Sequence, residues 1–103
     1  RDYYASRGLG DVYKRQGEDE TVTLICEDAL TGVMIDRFGK EVAMRRYDET
    51  RIRVRVSVAV SRQFFGWLAG LGAAVRIESP EPVVREYREY LETILKTYGE
   101  QEL

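Results

Sequence analysis

From Thr50 to Val60 the chain alternates without a break. Ile52, Val54, Val56, Val58 and Val60 hold one set of positions, and Arg51, Arg53, Arg55, Ser57 and Ala59 hold the other. Strict period two with β-branched residues in one set is the pattern of a strand buried on a single face. Such a strand needs partners along its edges and a layer over its apolar side. The rest of the chain must supply both.

The remaining pattern does so. Thr21 to Cys26 predicts a strand with Val22, Leu24 and Cys26 on one face and Thr21 and Thr23 on the other. Asp28 is placed to cap a helix in which Leu30, Val33, Met34 and Phe38 recur at helical spacing, with Gly39 at its end. Val42 to Tyr47 predicts a second strand, and Asp48-Glu49 a turn into the alternating segment. Ser61 then caps a helix with the stripe Phe64, Trp67, Leu68 and Leu71, stopped by Gly72. Ala74 to Glu78 is a short strand with Val75 and Ile77 inward. Ser79-Pro80-Glu81-Pro82 opens a last helix, since a first turn tolerates proline. Val84, Tyr87, Leu91, Ile94 and Tyr98 line one face of it. Arg85–Glu89, Arg88–Glu92 and Glu92–Lys96 are spaced as i,i+4 pairs on its wet side.

The predicted order is β-α-β-β-α-β-α. The expected class is α+β, a ferredoxin-like βαββαβ sandwich with an additional C-terminal helix. The first and third strands should be central, helices should cover one face, and the other face should stay open. Val54, Val56, Leu68, Leu71, Ile77 and Leu91 are expected to be buried.

A chain of 103 residues is one domain. Residues 1–17 are expected to lie outside it, because RDYYASRGLGDVYKRQ has no helical or strand period and its end resembles translated sequencing-adapter sequence. On that expectation the sequence is a fragment whose domain runs over 18–99, followed by a tail at 100–103. Residues 1–16 hold four basic and two acidic groups, which leaves 12 basic against 16 acidic groups, or −4, for the rest. A net-acidic domain is not a general polyanion binder, so any nucleic-acid contact must use a local patch. With no histidine and one cysteine, the commonest general base and a thiolate zinc site are both missing. Nothing in the spacing points to an enzyme, a cofactor or a metal. The single cysteine fits a reducing compartment, and no apolar run approaches a membrane span. Cytoplasm is the expected location.

Arg51, Arg53 and Arg55 project from one strand face, each about 7 Å from the next. Arg76 on the fourth strand and Arg45 or Arg46 on the second can extend the patch. Guanidinium forks suit phosphates and bases. The competing reading is a solvated face with its arginines paired to Glu41, Glu49 or Glu78. The third strand also lacks the aromatics that RNA-binding sheets use for stacking. Tyr87, Tyr90, Tyr98 and Trp67 read as core or interface residues rather than a cage, and Cys26 as a buried, inert thiol. Asp36, Glu86, Glu89 and Glu92 fall on solvated helix faces.

From Glu20 to Tyr98 the chain resembles the C-terminal extension, of WCX type, that follows the WYL domain in bacterial WYL-type transcriptional regulators. The matching stretches are VTLICEDALTGVMIDRFG, IRVRVSVAV and FFGWLAGLGAAVRIESPEPVVREYREYLETILKTY. Trp67, Leu68, Leu71, Gly72, Val75 and Pro80 sit at matching places. Pro82 departs from the pattern, as does the plain Gly39-Lys40 turn, near which relatives often carry a tryptophan. The resemblance implies a non-catalytic regulatory domain behind a winged helix-turn-helix domain and a WYL sensor domain. It further implies a homodimer and a nucleic-acid or nucleotide effector. A free-standing RNA-binding domain and a small-molecule-sensing domain are the alternatives, and fold alone does not separate them.

Overall fold

The computed structural model describes residues 19–99; the expected tails at 1–17 and 100–103 lie outside the described residues. Four strands and three α-helices follow one another as β1 (Asp19–Glu27), α1 (Thr31–Phe38), β2 (Ala43–Arg46), β3 (Arg51–Ala59), α2 (Arg62–Gly70), β4 (Val75–Ser79) and α3 (Glu81–Gly99). Short 3₁₀ turns at Asp28–Leu30 and Gly72–Ala74 lead into α1 and β4. The architecture is α+β, with one sheet in the order β2-β3-β1-β4 and every neighbouring pair antiparallel. The first and third strands are therefore the central ones.

Local chemistry sets the boundaries. Ser61 is extended and its Oγ accepts the Phe64 N–H at 3.3 Å, which satisfies one of the free donors at the start of α2. Gly39, at φ +100° and ψ 161°, ends α1 in a conformation open essentially to glycine alone.

The alternation in β3 becomes two faces. Ile52, Val54 and Val56 join Val22, Leu24 and Cys26 of β1 and Val75 and Ile77 of β4 in a single apolar cluster. Met34 of α1, Phe64, Phe65 and Leu68 of α2 and Val83 of α3 close over it. Val54, Val56, Leu68 and Ile77 are buried, as expected.

Two expected core residues are not. Leu71 is half-buried because it caps the end of α2 rather than lying within its stripe. Leu91 is 38% exposed, followed by Ile94 at 43%, Leu95 at 66% and Tyr98 at 67%. The cause is length. Nineteen residues of α3 run about 28 Å, whereas the five residues of β4 beside it run about 17 Å, so the last turns overrun the sheet. At the other end of α3 the fully buried residue is Val83, while Val84 is half-buried. The ion pairs seen on its wet side are Arg85–Glu81 and Arg88–Glu92, both at 3.8 Å.

Candidate functional site

The face of the sheet away from the helices carries all four arginines singled out from the sequence. In the β3 register, Arg51 lies opposite Glu27, Arg53 opposite Ile25 and Arg55 opposite Thr23 on β1. Arg76 of β4 lies opposite Ile25 from the other side. Ile25 is only 1% exposed although it stands outside the main apolar cluster. Its cross-strand neighbours on that face are Arg53 and Arg76.

Tyr47 belongs to the same face, and sequence reasoning passed over it. Its N–H donates to the Arg51 carbonyl at 3.0 Å, so the β2–β3 ladder runs one residue past the strand end. Tyr47 thus continues the alternation of Ala43 and Arg45 onto the open side. The guanidinium carbons of Arg51 and Arg53 each sit 5.0 Å from its ring centroid. Arg76 Nη2 donates to its hydroxyl at 3.5 Å. The signal was the parity of β2, which puts residues 43, 45 and 47 on one side.

Parity also separates the two second-strand arginines that were expected to extend the patch. Arg45 lies opposite Arg53 and is exposed on the open face. Arg46 lies opposite Ile52 and turns away. Its Nη1 donates to Asp28 Oδ1 at 2.9 Å and Oδ2 at 3.1 Å, and to the Asp48 carbonyl at 3.2 Å.

The arginines of the face differ in their partners. Arg51 is held by Asp48, with Nη2 at 2.6 Å and Nε at 3.0 Å from Oδ2. The other carboxylate oxygen of Asp48 accepts the N–H groups of Thr50 at 3.0 Å and Arg51 at 2.9 Å, which closes the turn. Hydrogen bonds from Arg51 and from the Thr50 backbone hold the Asp48 carboxyl below its ordinary range, and Asp48 raises Arg51. Arg53 donates to both oxygens of Glu78, at 2.8 and 2.9 Å, which lowers Glu78 and raises Arg53. Among the described residues, Arg45, Arg55 and Arg76 form no ion pair, and all three are exposed. The face is therefore part neutral clasp, part free cation.

The other side chains weighed from sequence fall as follows. Tyr87 and Tyr90 pack on Phe65, with centroids 5.3 and 5.5 Å away, and Trp67 meets Phe38 edge-on at 5.4 Å. These rings belong to the core; Tyr98 stands apart and exposed. Cys26 is buried, and burial followed by the charges of Asp28 and Glu27 pushes its thiol upward. Asp36, Glu89 and Glu92 are exposed and Glu86 is half-buried. Among the described residues no cluster of His, Cys, Asp and Glu is placed to hold a metal, and no helix is long and apolar enough to cross a membrane.

Residues 18–95 match the family model of the WCX domain. No curated protein and no solved structure matches the chain.

Proposed function

The chain belongs to the WCX domain family, and from that premise we propose that it is the non-catalytic regulatory domain of a WYL-type transcriptional regulator, with its open sheet face taking an anionic effector. We read the β2-β3-β1-β4 arrangement as ferredoxin-like. In this reading the domain works in the cytoplasm, behind a WYL domain and a helix-turn-helix domain, in a homodimer.

The observation that carries the effector reading is the composition of the open face. Three exposed guanidinium residues, Arg45, Arg55 and Arg76, share the face with Tyr47, whose ring and hydroxyl contact Arg51, Arg53 and Arg76, while Arg55 lies further along β3 opposite Ala43. Guanidiniums recognise phosphate oxygens, and arginines already committed to Asp48 and Glu78 fix the shape of the face rather than add charge. Nucleotides or short single strands fit this chemistry. The reading as a free-standing RNA-binding domain is weaker. Tyr47 is a single aromatic at the end of an edge strand, and the domain's net charge gives no long-range attraction.

The test is titration of the regulator carrying this domain with nucleotides and short single-stranded oligonucleotides over a range of salt. Replacing Arg55 and Arg76 together by alanine should weaken binding and flatten its salt dependence. Wild-type binding by the double variant at every salt concentration overturns the effector reading. The regulator reading is tested separately by the upstream coding sequence, which should specify WYL and helix-turn-helix domains.

A further inference from the structure

α3 leaves two apolar surfaces open side by side. Over β4 it borders a groove of about 560 Å³, walled by Ala69, Ala73, Val75, Ile77, Val84 and Leu91. Past the end of β4 it carries Leu91, Ile94, Leu95 and Tyr98, all exposed. A contiguous exposed apolar patch on a folded domain marks a contact surface. Val84, Arg88, Leu91, Leu95 and Tyr98 fall within about 80° of one another around the helix. Groove rim and protruding row are therefore one stripe, half of it beside an open trough and half standing clear of the sheet.

Such a stripe fits a second copy of itself. In a two-fold antiparallel pair, the protruding half of each helix lies against the trough of the other, and both are covered at once. The exchange also fixes a register. When Leu95 of one copy is level with residues 85–87 of the other, between Val84 and Arg88, antiparallel counting sets Arg88 level with residues 92–94. Each Arg88 then meets the other copy's Glu92. Within one chain these two groups stand 3.8 Å apart and are mostly exposed, so neither firmly holds the other. The register that buries the apolar stripe is thus the one that sets two arginines against two glutamates around the two-fold axis.

We propose that α3 pairs antiparallel with α3 of a second copy, Leu95 and Tyr98 of each seated in the other's groove and Arg88 facing Glu92 across the axis. This names a surface for the homodimer proposed above, but it is argued from α3 and its groove alone. The stripe is narrow, and small interfaces are weak, so the dissociation constant should lie near roughly 0.1 mM. At the micromolar protein of a denaturation experiment the copies are apart.

The test is sedimentation equilibrium of the 103-residue chain from about 10 µM to 1 mM, over which the mass should rise from one copy toward two. Leu95 is exposed, so Leu95→Glu should keep its urea midpoint at micromolar protein and stay monomeric throughout. Arg88→Glu gathers four glutamates at the axis and Glu92→Arg four arginines, so each variant alone should pair roughly tenfold more weakly or worse. An equal mixture of the two should pair again, because every facing couple is then Glu against Arg. A wild-type chain that stays monomeric, a dimer indifferent to Leu95→Glu, higher oligomers in place of a dimer, or a mixture that fails to pair overturns the proposal. If the full-length regulator dimerises although this chain does not, the homodimer reading stands and this surface falls.

Discussion

Arg53 and Glu78 form a bidentate pair, at 2.8 and 2.9 Å, across a strand to which neither belongs. Arg53 is on β3, Glu78 is on β4, and β1 runs between them with Ile25 beneath. The reach depends on a β-bulge. One step of β1, from Thr23 to Leu24, is matched by two steps of β4, from Ser79 to Ile77, so Glu78 is the extra residue. Bulges re-aim side chains, and here the result is a carboxylate placed to receive a guanidinium from two strands away.

The pairing predicts a pH signature. Glu78 and Asp48 both titrate below their ordinary values of 4.5 and 3.8, so their ionised forms are favoured in the folded state. A lowered carboxylate contributes stability that is present above its unfolded value and is lost as pH falls through the folded one. The urea midpoint should therefore decline from about pH 5 downward, and Glu78→Gln with Asp48→Asn should lower it modestly near neutrality and converge with wild type in acid, so that the variant's decline is shallower. Added salt should narrow the difference, since both groups are open to solvent. If the double variant follows the wild-type acid limb at low salt, these pairs do not hold the face together.

A second prediction contrasts two apolar residues. Phe65 has no exposed surface and packs against Tyr87 and Tyr90. Phe65→Ala should cost about 3–5 kcal/mol in urea denaturation. Leu95, at 66% exposure on the overrunning end of α3, should cost within about 0.5 kcal/mol on the same change. A cost at Leu95 above about 1 kcal/mol would mean that this end of the helix is covered in solution.

The third concerns Cys26. Its thiol is buried and raised by desolvation, so little thiolate forms near neutral pH. Ellman's reagent should leave it untouched in the folded chain and modify it fully in urea. Rapid modification without denaturant would show that β1 opens on its own.

How far the sequence carried this reading depends on the period involved. In β3 the alternation decided which residues enter the core, because a strand has two faces and a slip of one residue reverses both. Cap chemistry at Ser61 and Gly39 was equally legible, since each acts on its own backbone, but the cap expected of Asp28 did not form: the helix starts at Thr31 behind Leu30, and the Asp28 carboxylate is taken by Arg46. The stripe on α3 was not, because a helical period states which side is apolar but not how far the sheet beneath it extends. Leu91 belongs to the stripe and lies where that support runs out. On the open face, the four arginines were placed by parity alone. Of the partners weighed from sequence, Glu78 does pair, with Arg53, whereas among the described residues Glu41 and Glu49 do not and Asp48, which holds Arg51, was missed, because that choice depends on a turn that composition does not encode.

The central position of β1 also fixes when the fold can close. Among the described strands β1 comes first in chain order, yet its partners are β3 and β4, and the register ends at Ser79. Synthesis proceeds at about 5–20 residues per second, so Leu24, Ile25 and Cys26 wait on the order of seconds for both neighbours. Among the described strands only the β2–β3 hairpin joins neighbours in sequence and can pair early. A nascent chain that stalls before Ser79 therefore presents an apolar strand with an unpaired edge, the kind of surface that chaperones and proteases engage.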